Sequence, residues 1–179
     1  MSTDRTATDA ATKAAIATAI EAAVDIDTAA LTGPDVTIDE NAPVVVRLST
    51  TVDAPLASVW RLHTDIDSWV DWNRDITRAS IEGPLAPGAT FRWRTHGLDI
   101  TSTVQQLVPG ERIVWGGPVQ GIEGIHVWTF EEADGVVTVS TEESWAGAPV
   151  EAEPELLGDA LRQSLEDWLG QLKARAERR

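Results

Sequence analysis

The chain has 179 residues and a mass of 19.3 kDa, enough for one well-buried core and short for two. Its 14 Lys and Arg against 29 Asp and Glu give a formal net charge of −15, a field that repels nucleic acid and anionic headgroups, so neither is an expected partner. With no cysteine, disulfide frameworks, thiol nucleophiles and thiolate metal sites are excluded, and no apolar run approaches the roughly 20 residues of a membrane span.

Residues 1–42 read as an N-terminal extension. They lack the basic region and apolar run of a secretory signal, which makes the cytoplasm the expected location. Residues 8–24 are Ala-rich and place Ile16, Ile20 and Val24 on one narrow stripe of a predicted helix, too thin to fold alone. The segment LTGPDVTIDENAP that follows carries the breakers of a linker. Three roles are open to the extension: covering a site on the rest of the chain, packing on a second copy to make a homodimer, or staying mobile, which is the preferred reading.

From Val44 the pattern turns to period two, with Val44, Val46, Leu48, Thr50 and Val52 facing one side of a predicted strand. Pro55 suits the first turn of a helix that carries Val59, Trp60, Leu62 and His63. A second short helix is expected near Asp65, whose carboxylate can cap it, and it contains Trp69.

Beyond Asn73 the chain reads as strands as far as Trp145. His96-Gly97, Pro109-Gly110 and Asp134-Gly135 are each read as a two-residue hairpin loop. The resulting registers set Trp93 opposite Ile100, Arg94 opposite Asp99, Val104 opposite Trp115, Gln106 opposite Ile113, Trp128 opposite Thr141, and His126 opposite Glu143. A slip of one residue would turn all of these side chains over, so the agreement of the apolar faces supports the pairing. Gly116-Gly117-Pro118 with Gly121 and Gly124 is read as a flexible loop beside a cavity mouth, as is the loop near Pro84 and Pro87.

The last segment, PELLGDALRQSLEDWLGQLKARAE, aligns Leu157, Leu161, Leu165, Trp168 and Leu172 along one face of a long amphipathic helix. A strand, a helical pair, about seven antiparallel strands in all and a terminal helix make an α+β domain over residues 43–179, its curved sheet wrapped around that helix.

In the order and spacing of VDAPLASVWRLHTDIDSWVDWN, GATFRWRTHGLDITSTVQQLVPGERIVWGG, GIHVWTFEEADGVVTVSTEESWAG and the terminal helix, the chain resembles the START-like superfamily of helix-grip proteins, in particular its polyketide cyclase/dehydratase-type branch. The resemblance covers almost everything from Val44 on and none of the extension. It implies a deep hydrophobic cavity between the sheet and the last helix that binds apolar or aromatic molecules. Members include aromatic polyketide cyclases, lipid and sterol carriers and hormone-binding proteins. No catalytic motif is shared among them, so chemistry has to be argued from residues of this chain.

His126 and Glu143, paired across two strands on the cavity face, are the candidate catalytic residues. Burial raises a carboxyl and a neighbouring imidazolium lowers it, so the pair could pass a proton to or from a substrate, as enolisation, aldol closure or dehydration requires. The alternative is a buried ion pair that only satisfies two polar groups. Candidate ligand-binding walls are Trp72, Trp93, Ile100, Val104, Trp115, Trp128, Trp145, Leu161, Leu165 and Trp168, because indoles stack on flat ligands and offer N–H donors. Trp60 and Trp69 are expected in the core. His63 is open to either the cavity or the strand ends. The histidines have no metal-ligand spacing, the run Asp65, Asp67, Asp71, Asn73 and Asp75 lacks the calcium-loop pattern, and no phosphate-binding glycine motif is present, so no metal or cofactor is expected. The expected function is cofactor-free cyclisation or dehydration of a polyketide-like molecule. The alternatives are a carrier or sensor of a lipid, sterol or aromatic metabolite, and an interaction module whose cavity its own indoles fill.

Overall fold

Alternation in the sequence becomes alternation in space along β1 (Val44–Val52), where Val44, Val46 and Val52 are buried and Arg47, Ser49 and Thr51 are exposed. The computed structural model describes residues 35–178, and the helix predicted over residues 8–24 lies outside them. After β1 come α1 (Leu56–Thr64), a short 3-10 helix (Ile66–Asp71), β2 (Ile76–Ile81), β3 (Thr90–Thr95), β4 (Leu98–Val108), β5 (Arg112–Val119), β6 (Ile122–Ala133) and β7 (Val136–Ala146). A five-residue α2 (Ala148–Ala152) and the 23-residue α3 (Pro154–Ala176) close the chain. Pro55 stands just before α1, its carbonyl accepting Ser58 and Val59 N–H. Asp65 precedes the 3-10 helix, but its side chain makes no cap there. Its backbone carbonyl accepts the Ser68 N–H and hydroxyl instead.

The seven strands form one antiparallel sheet in the order β1-β7-β6-β5-β4-β3-β2, with β1 and β2 as its open edges. Three hairpins turn on His96-Gly97, Gln120-Gly121 and Asp134-Gly135, each with positive φ at both central residues, as type I′ turns require. The Gln120-Gly121 turn corrects the expectation of a flexible loop. Gly116, Gly117 and Pro118 continue β5, and Gly124 pairs with Gly117 in β6. Packing explains it: a Cβ on Gly116 would stand 2.3 Å from the Gly124 carbonyl oxygen, so glycine there permits close strand approach.

The Pro109-Gly110 hairpin is also corrected. Val108 pairs with Arg112, and the Glu111 N–H donates to the Val108 carbonyl at 3.0 Å, so the loop holds three residues. A bulge between Val104 and Gln106 then returns Val104 to Trp115. Two departures from the simple count cancel at Val104, whereas Gln106 lies opposite Val114, and Leu107 opposite Ile113. Gln106 accordingly bonds Arg112 Nε at 2.9 Å rather than facing the interior.

The helix is gripped from both halves of the sheet. Val44 and Val46 of edge strand β1 pack with Leu161 and Leu165. Further along α3, Trp168, Leu169 and Leu172 join a larger core holding Trp69, Phe91, Trp115, Trp128 and Phe130. Strands so far apart in the sheet reach one helix because the sheet curves around it. Edge-to-face contacts such as Trp69 on Trp168, with centroids 5.2 Å apart, add about 0.5–1.5 kcal/mol each beyond burial.

The outer face of the sheet is not wholly polar. Val114 and Val127 are fully buried there beneath Val36 and Ile38, and the Asp39 N–H donates to Ser144 Oγ at 3.0 Å. Residues assigned to the linker therefore pack on the sheet, and the packed unit reaches back before residue 43.

Candidate functional site

One end of the groove between sheet and helix is solid and the other is hollow. At the solid end α1 inserts Val59, Trp60 and His63, and the 3-10 helix inserts Ile66 and Trp69, against Trp128, Phe130 and Phe91. Toward the Gln120-Gly121 turn neither α1 nor the 3-10 helix reaches the inward positions, and a cavity of about 480 Å³ remains between the sheet and α3. The β3–β4 hairpin contributes Trp93, Thr95, Leu98, Ile100 and Ser102 to it. The β5–β6 hairpin adds Trp115, Gly117, Val119, Ile122, Gly124 and His126, β7 adds Glu143 and Trp145, and α3 adds Leu161, Leu165 and Trp168.

Of the residues expected as walls, Trp93, Ile100, Trp115, Trp145, Leu161, Leu165 and Trp168 line this space together with His126 and Glu143. Trp72, Val104 and Trp128 do not. Trp128 and Val104 are buried in the core, and Trp72, at the end of the 3-10 helix, packs on that core. Val104 and Trp128 share the inward face of the sheet, but α1 and the 3-10 helix occupy their end of the groove. The loop at Pro84 and Pro87 is likewise outside the lining. His63 belongs to the core: it is fully buried, its ring centroid 4.4 Å from that of Trp128, and neither ring nitrogen has a hydrogen-bond partner. Burial drives its imidazole down to about 3.

His126 and Glu143 face each other across β6 and β7 as the register requires. His126 Nδ1 lies 3.2 Å from Glu143 Oε2, and His126 Nε2 lies 2.8 Å from Thr141 Oγ1. Trp145 Nε1–H donates to Glu143 Oε1 at 2.7 Å. Burial pushes the Glu143 carboxyl up to about 7, although the Trp145 bond pulls the other way. Burial, reinforced by the nearby His63, holds His126 well below its ordinary value. Below about pH 7 these shifts favour the shared proton on Glu143, with Oε2–H donating to Nδ1 and the neutral ring's Nε2–H donating to Thr141 Oγ1. Moving it to His126 lets both ring N–H groups donate to the same oxygens. One set of heavy-atom positions thus serves both states, and transfer needs no rearrangement.

Thr141 and Ser102 are site residues that sequence reading passed over. Thr141 steadies His126, and Ser102 Oγ accepts Trp93 Nε1–H at 3.1 Å. The available signal was their register, since each is a lone hydroxyl on an otherwise apolar inward face. In the acidic run after α1, Asp67 Oδ1 accepts the Ile81 N–H, Asn73 Oδ1 accepts the Asp75 N–H, and Asp75 Oδ2 accepts Gln171 Nε2–H. Among the described residues, no three His, Asp or Glu side chains are grouped to hold a metal ion, and no helix is long and apolar enough to cross a membrane.

A long helix held by an open seven-stranded antiparallel sheet is the helix-grip fold, and solved structures share it. A hypothetical protein of Helicobacter pylori aligns with a TM-score of 0.69 and 18% identity over 80% of this chain and 98% of its own. The ZhuI aromatase/cyclase of Streptomyces sp. R1128 aligns with a TM-score of 0.67 and 18% identity over 75% and 94%. A START superfamily protein of Mycobacterium smegmatis gives 0.63 and 12% over 74% and 97%. No curated protein matches the sequence. The chain belongs to the family described as polyketide cyclase / dehydrase and lipid transport, whose model matches residues 43–177.

Proposed function

We propose that the chain binds a small hydrophobic or aromatic molecule in the cavity and acts on it as a cofactor-free, cyclase/dehydratase-like acid/base catalyst. The observation that carries this reading is the His126–Glu143 pair at the cavity wall, 3.2 Å apart, with the carboxyl held up to about 7. A carboxyl poised near neutral pH is suited both to donating a proton and to accepting one, which a structural carboxylate of ordinary acidity is not. The Glu143 side chain is 14% exposed and that of His126 5%, so Glu143 is the group that meets the ligand. In its ionised form it removes a proton from a carbon next to a carbonyl, and the C–H electron pair moves into the enolate. The enolate attacks a second carbonyl or expels a β-hydroxyl, and Glu143 returns the proton to the oxygen that gains charge. Between these steps Glu143 holds the proton, and His126, steadied by Thr141, orients its carboxyl.

The test uses α-proton exchange of 2-tetralone in D2O followed by NMR. The wild-type chain is expected to accelerate exchange, and Glu143→Gln to reduce the acceleration about 100-fold, the typical worth of a positioned base. Binding without any acceleration would overturn the catalytic reading. A second reading, a carrier of a lipid, sterol or aromatic metabolite, is favoured by one observation: both His126 nitrogens and Glu143 Oε1 already have partners inside the protein. In that case exchange is not accelerated, while ligand binding persists.

A further inference from the structure

On the reading that this cavity is the binding site, the charges around it narrow the ligand further. The ionisable side chains lining it are Glu143, Asp167, His126 and His96, and among the described residues no lysine or arginine does so. Arg94, on the same hairpin as Trp93, is turned to Asp99 at 3.5 Å, and Arg162 of α3 lines a separate groove against β1. Near the acid, Trp145 Nε1–H is committed to Glu143 Oε1, and both His126 ring nitrogens are already bonded, Nε2 with Thr141 Oγ1 and Nδ1 with Glu143 Oε2. Trp168 Nε1–H has no partner, but it carries no accessible surface.

Space at the acid is kept by a missing side chain. A Cβ on Gly124 would lie 3.7 Å from Glu143 Oε1 and 3.5 Å from Trp145 Cδ1 and Nε1, ordinary contact distances. A ligand atom seated there meets a carboxyl oxygen with a lone pair to spare, flanked by an indole. Such a place takes a donor well. It takes an anion badly, because a second negative charge must sit beside Glu143 or draw a proton onto it, inside a molecule of net charge −15.

We propose that the cavity selects by charge: it accepts neutral aromatic or alicyclic molecules that bring a hydroxyl donor to Glu143 over Gly124, and rejects the corresponding carboxylates, free fatty acids included. Sterol-type alcohols and phenolic products fit this rule. The groups facing Glu143 that also titrate or carry charge are His126 of β6 and, elsewhere on the lining, Asp167 of α3 and His96 of the β3–β4 turn.

Calorimetric titration of the full chain with 2-naphthylmethanol and with 2-naphthoate, of similar size and shape, tests the proposal. At about pH 8.5, where Glu143 is ionised, the alcohol is expected to bind at least tenfold tighter than the carboxylate. Glu143→Gln, or in its place wild type at about pH 5.5, where Glu143 is protonated and the naphthoate is still charged, is expected to shrink that ratio several-fold. Equal or tighter binding of naphthoate by wild type overturns the proposal, as does a ratio unchanged in both later measurements. Binding of neither compound overturns the cavity reading and this proposal together. Failure of α-proton exchange leaves the ratio untouched, so loss of catalysis and loss of charge selection are separable.

Discussion

His63 and Glu143 are both buried ionisable side chains, and their burial pulls stability in opposite directions with pH. The His63 imidazole is down at about 3 in the fold, against 6.5 for the free side chain. Between those values the unfolded chain binds the proton and the native chain does not, so stability is lost as pH falls from 6.5 toward 3. Because neither ring nitrogen is bonded, His63→Leu is expected to stabilise the protein by about 1–3 kcal/mol and to flatten that acid limb, as read by urea unfolding at several pH values. Glu143, raised from 4.5 to about 7, behaves the other way: the native state holds the proton longer, so stability is lost as pH rises through that window. Trp145→Phe removes the N–H donor that favours the carboxylate, and the Glu143 titration is expected to move further upward in a carboxyl NMR titration. If Glu143 acts as proposed, the exchange-rate pH profile shifts with it, which a merely structural Trp145 would not cause.

At the scale of elements, the cavity exists because two hairpins end in glycines while α1 and the 3-10 helix fill only the other end of the groove. Gly116 and Gly124 are neighbours with opposite tolerances. Gly116→Ala drives a methyl to 2.3 Å from a backbone oxygen and is expected to destabilise the sheet by roughly 1–3 kcal/mol or more in thermal unfolding. Gly124→Leu meets only ordinary contacts at its Cβ and projects into the cavity. It is expected to leave Tm within a few degrees of wild type while abolishing calorimetric binding of 2-naphthylmethanol. The registers of the β3–β4 and β6–β7 hairpins were legible in the sequence, because a half-buried strand repeats every two residues and their I′ turns carry glycine. Legibility failed where a signal was cancelled or mimicked. The bulge at Gln105 compensates the longer Pro109-Gly110-Glu111 loop, so the pattern looks regular on both sides of it. The glycines of β5, needed for close approach to β6, resemble those of a loop. Val36 and Ile38 lie among turn formers, and nothing nearby in sequence shows that Val114 and Val127 need a cover.

For the whole molecule, a net charge of −15 over 179 residues produces self-repulsion that salt screens. Raising ionic strength to about 0.5 M is expected to raise Tm measurably, by calorimetry at neutral pH, without changing the unfolding mechanism. Composition and periodicity determined the α+β class, the strand pairing that brings His126 to Glu143, and the apolar stripe that α3 turns inward, because each depends on neighbours close in the chain or on a repeating face. The division of a common inward face was decided only by tertiary structure. Trp93, Trp115, Trp128 and Val104 obey the same alternation, yet α1 and the 3-10 helix shut Trp128 and Val104 into the core and leave Trp93 and Trp115 at the cavity wall. The acidity of Glu143 belongs there too, since it follows from burial and from a Trp145 donor, properties that arise when distant segments close around it.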